Sequence, residues 1–149
     1  MFITANYVSA ATVSILIIET GQSDKTEIAG FWETGMMDAL FEMGHIVSNA
    51  PAVQIPKFDD KEIPLKTQND FEEAERSDVD YFIIAQLDYP EAGKQGTEKA
   101  LVALKLYKIR PYGVLYTGKY EVDAGNTPLD KISKAKDAAR LLARYMGNG

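Results

Sequence analysis

The sequence predicts an α/β domain of the α+β type, built on a mixed sheet of about five strands with helices packed on it in two or three layers. Three observations predict this class. Apolar, β-branched runs alternate with amphipathic helical runs, three strand-like runs follow one another in the second half, and turn residues separate them. The expected element order is β-α-β-α-β-β-β-α. With 149 residues, 46% of them hydrophobic, the chain has the size of one domain.

The first half of the chain begins with a strand and a long helix. Residues 13–19 (VSILIIE) are apolar on both alternating faces, which indicates a central strand covered on both sides. Apolar residues then recur at helical spacing, so we expect a helix over residues 25–43, and Gly44 stands where a left-handed helix stop belongs. Residues 45–48 form a short predicted strand.

The middle of the chain contains three prolines within residues 51–65, which predict a long surface loop because proline breaks helices and central strands. Thr67 is the predicted N-cap of a short helix that ends near Arg76. Residues 78–90 (DVDYFIIAQLDYP) carry the strongest strand pattern, with the first half buried on both sides and Gln86 near a wetter edge.

The last third predicts two further strands, over residues 99–110 and 113–123, and then a helix. The second of these strands alternates, and one of its faces is expected to carry Val114, Tyr116, Gly118, Tyr120 and Val122. Thr127 can cap the following helix and Pro128 suits its first position. This helix is expected to end near Met146, with Gly147 as its stop.

Charge and residue types exclude several kinds of function. A formal net charge of −6 repels phosphate backbones, so nucleic acid is not an expected partner. The absence of cysteine excludes disulfides, thiolate zinc sites and cysteine nucleophiles, and it is compatible with a reducing or an oxidising compartment. His45 is the only histidine, and we interpret it as a structural or an exposed histidine rather than a catalytic one. We therefore predict no catalytic residues, no cofactor and no metal site.

Acidic clusters and aromatic residues are the remaining candidates for a site. The carboxylates of residues 59–62 and 70–75 lack the spacing of a calcium loop and are interpreted as solvated charge. Phe58, Tyr89 and Tyr112 fall in predicted loops or at strand ends, where an apolar ring with a polar tip is a common interface anchor. These three residues are the predicted partner-binding residues. The alternative is that they cover the rim of the core.

The first 18 residues are uncharged, which is nominally enough to span a bilayer. Polar residues interrupt this run, no basic residue flanks it, and its second half is needed as the central strand, so we predict no transmembrane segment. Two interpretations of residues 1–11 stay open. They are either an ordinary amino-terminal arm or the remnant of a secretion leader, since Val8-Ser9-Ala10 has the spacing of a cleavage site. Residues 12–149 then form the single domain.

The predicted order, together with the motifs SDVDYFIIAQL, LVALKLYKI and GVLYTGKYEV, resembles a group of bacterial envelope domains. This group comprises the amino-terminal domain of TolB and the related domains of CsgG and LpoB. Its strand motif places an acidic residue before an aromatic one, as Asp80 and Tyr81 stand here. The sequence departs from the group at residues 77–79 and lacks the cysteine of the lipidated members.

The resemblance implies a non-enzymatic, periplasmic or secreted accessory domain that binds another protein of the envelope, and it leaves a cytoplasmic location open. It identifies no partner and no oligomeric state. The rival hypothesis is a small-ligand-binding domain or a carboxylate-dependent hydrolase. In that case the loop of residues 51–65 would cover a pocket near the ends of the first and third strands, where open α/β sheets bind ligands.

Overall fold

The computed structural model describes residues 10–20, 26–49, 53–55, 63–89, 99–123 and 127–147. These residues form one six-stranded sheet and three helices. In chain order the elements are β1 (Thr12–Thr20), α1 (Thr26–Glu42), β2 (Ile46–Asn49), β3 (Val53–Ile55), α2 (Ile63–Arg76), β4 (Tyr81–Asp88), β5 (Lys99–Lys108), β6 (Gly113–Asp123) and α3 (Pro128–Ala143).

The sheet is mixed and has the strand order β2-β1-β4-β5-β6, with β3 continuing the β2 edge alongside β1. β1 lies parallel to β4 on one side and parallel to β2 and β3 on the other. β4, β5 and β6 form an antiparallel meander. The prediction of a mixed α/β sheet with a buried first strand is therefore confirmed, with β3 as one additional, three-residue strand.

The molecule has three layers, because helices cover both faces of the sheet. On one face, Ile15 and Ile17 of β1 pack with α1 and α3 around the buried Trp32. On the other face, Leu16 packs with Phe71 of α2 in a smaller core. Apolar residues on both faces explain why seven consecutive residues of β1 are buried.

Both predicted ends of α1 and the predicted start of α3 are confirmed to within one residue, whereas α3 ends at Ala143 rather than near Met146. Turns with hydrogen bonds between residues three apart continue the chain from there to Met146. Gly44 and Gly147 follow α1 and α3 with φ of 88° and 78°, a region that glycine adopts without steric cost. At the start of α3, the Asp130 backbone N–H donates to Thr127 Oγ1 at 3.2 Å, while Asp130 Oδ2 accepts from the Thr127 N–H. This reciprocal capping box begins the helix at Pro128, as predicted.

The segment of residues 51–65 differs from the predicted loop. It contains β3 and the first residues of α2, which begins at Ile63 rather than after Thr67. Pro64 is compatible with this because the first turn of a helix needs no backbone N–H donor. Thr67 is therefore a helical residue and not an N-cap.

Two predicted side-chain placements on the sheet were also wrong. β6 contains a bulge: Leu106 pairs with Tyr116, but the next residue, Tyr107, pairs with Val114. Leu115 is therefore the extra residue, and Val114 lies with Tyr107 on the α2 face. Gln86 is buried, and its Nε2 donates to Thr20 Oγ1 at 3.4 Å.

Across the described ranges, no helix combines the length and the apolar character needed to cross a bilayer.

The contact between α1 and α3 depends on Gly35. A Cβ atom placed on Gly35 would overlap the carbonyl oxygen of Ile132 and would lie 2.7 Å from the Cβ of Ala135. The two helices thus meet almost backbone to backbone. A side chain at position 35 would force them apart and open the core beneath them.

We expect Gly35→Ala to lower the free energy of unfolding by about 1–3 kcal/mol, the usual cost of overpacking. Gly30→Ala is the matched control, because Gly30 is exposed in the same helix and a Cβ there meets nothing within 4 Å. That change should be neutral or stabilise by up to about 1 kcal/mol through helix propensity. Urea denaturation of both variants measures the difference, and equal effects would contradict the assigned helix contact.

Candidate functional site

An exposed group of aromatic side chains lies on the α2 face of the sheet. Phe71 of α2 contacts Tyr107 and Tyr112 edge to face, with ring centroids 6.2 and 5.5 Å apart. Tyr107 and Tyr112 stack on each other at 6.2 Å. Tyr112 is 62% exposed, and the neighbouring Val114 is 54% exposed. We call Phe71, Tyr107, Tyr112 and Val114 the aromatic patch.

The turn that carries Tyr112 is tied to the end of α2 by Arg110. The Arg110 guanidinium donates to the carbonyl oxygens of Glu75 at 3.0 Å and Val79 at 3.4 Å, and it forms an ion pair with Asp78 at 3.5 Å. These contacts join the β5–β6 turn to the α2–β4 connection. The backbone that carries Tyr112 is therefore already fixed in the free protein. Less conformational entropy is then lost when a partner binds the ring.

Tyr89 and Tyr112 are not brought together. Tyr89 follows the carboxyl end of β4 on the α1/α3 face, where its hydroxyl accepts from Trp32 Nε1 at 3.0 Å and its ring lies 5.8 Å from Lys131 Nζ. Burial raises the pKa of its hydroxyl, and the Trp32 hydrogen bond acts in the opposite direction. These contacts fit the alternative prediction for Tyr89, which is that it covers the rim of the core. Phe58 lies outside the described residues.

The carboxyl ends of β1 and β4 are where the rival hypothesis places a ligand pocket. Glu19 is buried there, and its Oε1 accepts from the Ala29 backbone N–H at 2.7 Å, within the first turn of α1. A carboxylate in this position is stabilised by a helix N-terminus.

The predicted covering loop falls partly outside the described residues. Two cavities with fully described linings lie instead toward the amino ends of these strands.

The first cavity, of about 190 Å³, is lined by Ala10, Ala11, His45, Asp80, Tyr81, Lys108, Arg110, Met146 and Gly147. Its polar groups hold the fold together. Asp80 Oδ2 accepts from the Thr12 N–H at 2.9 Å, and Tyr81 OH accepts from the Gly147 N–H at 3.0 Å. The acidic-aromatic motif thus joins β4 to the start of β1 and to the end of α3.

His45 lines the same cavity and is almost fully buried. Its Nδ1 accepts a hydrogen bond from the Ala11 N–H at 3.2 Å, so the neutral ring carries its proton on Nε2. Burial lowers the pKa of His45. The contact supports the structural interpretation of this residue.

The second cavity is a groove of about 490 Å³ between α2 and the β1–β2 edge. Its lining combines hydroxyl and carboxyl groups, including Ser14, Asp70 and Glu73, with the apolar side chains of Ala74 and Val79. Burial raises the pKa of Asp70. Among the described side chains, no three histidine or carboxylate groups come close enough to one another to hold a metal ion.

Sequence reasoning missed three members of the aromatic patch. Phe71 falls within the predicted short helix and Tyr107 within the predicted strand of residues 99–110, and neither of them was proposed as a site residue. Val114 was placed on the wrong face, because a bulge leaves no local signal in an alternating pattern. The turn residues Pro111-Tyr112-Gly113 between two strands were the one sequence feature that indicated this surface.

Comparison with solved structures shows which folds resemble this one. A PelC dodecamer from Paraburkholderia phytofirmans aligns with a TM-score of 0.55 and 12% identity, over 87% of this chain and 86% of that one. TolB from Acinetobacter baumannii aligns with a TM-score of 0.52 and 14% identity, over 93% of this chain but 30% of the TolB chain. No protein-family profile and no curated protein matches the sequence. The predicted resemblance to TolB is thereby confirmed for the fold.

The single histidine makes the pH dependence of stability easy to interpret. The unfolded chain binds a proton at His45 near its ordinary pKa of 6.5, whereas the folded chain binds it only at lower pH. Stability is therefore full above pH 6.5 and falls as the pH decreases toward the lowered folded-state pKa.

We expect denaturant unfolding of the wild type to be nearly constant from about pH 8 to pH 7 and to show this loss between about pH 6.5 and pH 5.5, above the range in which carboxyl groups ordinarily titrate. His45→Gln removes the titrating group, so its profile over the same range should be flat. A wild-type profile that is equally flat, or that rises toward low pH, would contradict the neutral, buried state of His45.

Proposed function

We propose that this chain is a non-enzymatic accessory domain of the bacterial cell envelope, periplasmic or secreted, that binds another protein through the aromatic patch. The envelope assignment is supported by the Asp80-Tyr81 motif, the order of the elements and a fold similar to that of TolB. The aromatic patch is the single observation that carries the binding function.

The physical chemistry of the aromatic patch supports protein binding. Exposed tyrosine rings supply a large contact area for only two side-chain torsions, and they are enriched among residues that dominate binding energy. Phe71 and Tyr107 support the ring of Tyr112 from two directions. The buried Phe82, with its centroid 5.9 Å from that of Phe71, connects the patch to the core below it.

The non-enzymatic assignment is supported by the roles of the polar groups near the described cavities. His45 is engaged by Ala11, and Asp80 by Thr12. Nucleophilic catalysis needs a nucleophile within hydrogen-bond reach of a base. At both of these groups the recorded partner is a backbone N–H, which cannot act as a nucleophile.

Tyr112→Ala tests the proposal. We expect it to weaken capture of the partner from an envelope extract by about tenfold or more, because truncating an anchor residue typically costs above 1–2 kcal/mol. Leu129→Ala is the matched control, since Leu129 is 78% exposed on α3, on the opposite face of the sheet. It should leave capture unchanged.

Quantitative mass spectrometry of the captured proteins gives the readout. An envelope protein that is lost with Tyr112→Ala and retained with Leu129→Ala supports both parts of the proposal. Equal capture by the two variants would reject the patch as the binding surface, and capture of cytoplasmic proteins only would reject the envelope assignment.

The alternative is small-ligand binding or carboxylate-dependent hydrolysis, and one observation favours it. Asp70 has a raised pKa and lines the groove of about 490 Å³ together with Glu73. A panel of sugars and small anions can be screened by thermal shift. A compound that stabilises the wild type but not Asp70→Asn would favour this alternative, whereas unchanged melting temperatures would remove its basis.

A further inference from the structure

α2 does not cover the β2 edge on its own face of the sheet. Side chains alternate along β1, and because Leu16 packs in the core beneath α2, Ser14 two residues earlier points to the same face. Ser14 pairs with Ser48 in the parallel register of β1 and β2, which places the exposed Ser48 on this face as well. The groove of about 490 Å³ lies between these two strands and α2.

The floor of the groove carries a hydroxyl group without a partner, that of Ser14. Only 8% of this residue is exposed. In the described part of the chain, no side-chain nitrogen or oxygen atom is both fully buried and unpaired, and no described residue bonds to Ser14 Oγ. The exposed fraction of Ser14 must therefore include Oγ, which reaches solvent in the groove that Ser14 lines. A ligand there can bond to a hydroxyl group that is fixed on a central strand.

The wall on the α2 side carries two carboxylates. Asp70 and Glu73 stand three positions apart and so share one side of the helix. Glu73 is exposed, accepts from Ser77 Oγ at 3.4 Å and forms an ion pair with Arg76 at 3.8 Å. Asp70 is only partly exposed, burial raises its pKa, and no described group pairs with its carboxylate. Asp70 is therefore the acceptor that this wall offers to a ligand.

The electrostatic field in the groove favours a cation. Its lining contains two carboxylates and no basic side chain. α2 ends at Arg76, and Ser77 and Val79 just beyond that end also line the groove, so the negative end of the helix dipole lies beside it. The formal net charge of the whole chain, −6, has the same sign.

The residue types in the lining select the kind of cation. A metal ion is poorly served, because no three carboxylate or histidine groups converge among the described side chains. A quaternary ammonium ion is bound by aromatic rings, and this lining contains none. A primary ammonium group instead has three N–H donors, which suit the oxygen acceptors of Asp70 and Ser14. Ala74 and Val79 add apolar surface for a short carbon chain.

We propose that the groove binds a small aliphatic amine. The ammonium group donates to the Asp70 carboxylate and the Ser14 hydroxyl, and the carbon chain lies over Ala74 and Val79. This is the groove of the alternative function, with a ligand class other than sugars and anions. It faces β1 and β2, whereas Phe71 and the aromatic patch lie on the β5 side of α2. Amine binding is therefore separate from the proposed protein binding, and the failure of one leaves the other unaffected.

NMR titration of the isotope-labelled wild type with putrescine, at constant ionic strength, tests the site. We expect saturable shifts of the backbone signals of Ser14, Ser48 and Asp70. Butanediol has the same carbon chain without charge, and tetramethylammonium has the charge without N–H donors, so neither should cause these shifts. The absence of saturable shifts with putrescine would overturn the proposal. Equal shifts with either control compound would overturn it as well.

Three variants assign the contacts. We expect Asp70→Asn to raise the dissociation constant of putrescine by about tenfold or more, because it removes the charge and keeps the shape. Ser14→Ala should raise it by about three- to tenfold through the loss of one charge-assisted hydrogen bond. Asp38→Asn is the matched control, since Asp38 is an exposed carboxylate of α1 on the opposite face of the sheet. It should stay within about twofold of the wild type.

The same NMR spectra show whether each variant is folded. A folded Asp70→Asn that binds putrescine as the wild type does would overturn the assignment of Asp70, and so would an equal loss of affinity in Asp38→Asn. The comparison of putrescine with butanediol uses the wild type alone, so it tests the charge requirement whether or not Ser14→Ala folds.

Discussion

The near backbone contact between α1 and α3 at Gly35 is the constraint on which the arrangement of the molecule depends. Because the helices approach so closely, both fit on one face of the sheet and together bury Ile15, Ile83 and Leu104. α2 alone remains for the other face. That face is therefore covered less completely, and the aromatic patch is exposed where α2 ends and the β5–β6 turn begins.

The acidic-aromatic motif fixes the amino end of the sheet. Asp80 is bonded to Thr12 through both its side chain and its backbone N–H, and its carbonyl oxygen accepts from the Ile109 N–H. Tyr81 secures the end of α3. A residue pair that carries a family resemblance thus joins the amino ends of β1 and β4 to the end of α3. This is why Asp80 and Tyr81, which line the adjacent cavity, each accept a hydrogen bond from a backbone N–H.

Sequence periodicity was sufficient to predict the long helices and strands. It was insufficient where a contact between residues far apart in the chain determines the position of a side chain. β1, α1, β4 and α3 were all predicted, because each buries a regular stripe of apolar side chains. The ends of β1 and α1 were right to within one residue, whereas β4 and α3 were predicted to extend two or three residues too far. Pro64 misled the prediction of α2, since proline breaks a helix only beyond its first turn. The exposure of Tyr112 follows from a local turn, whereas the engagement of Tyr89 by Trp32 joins residues 57 positions apart and has no local signature.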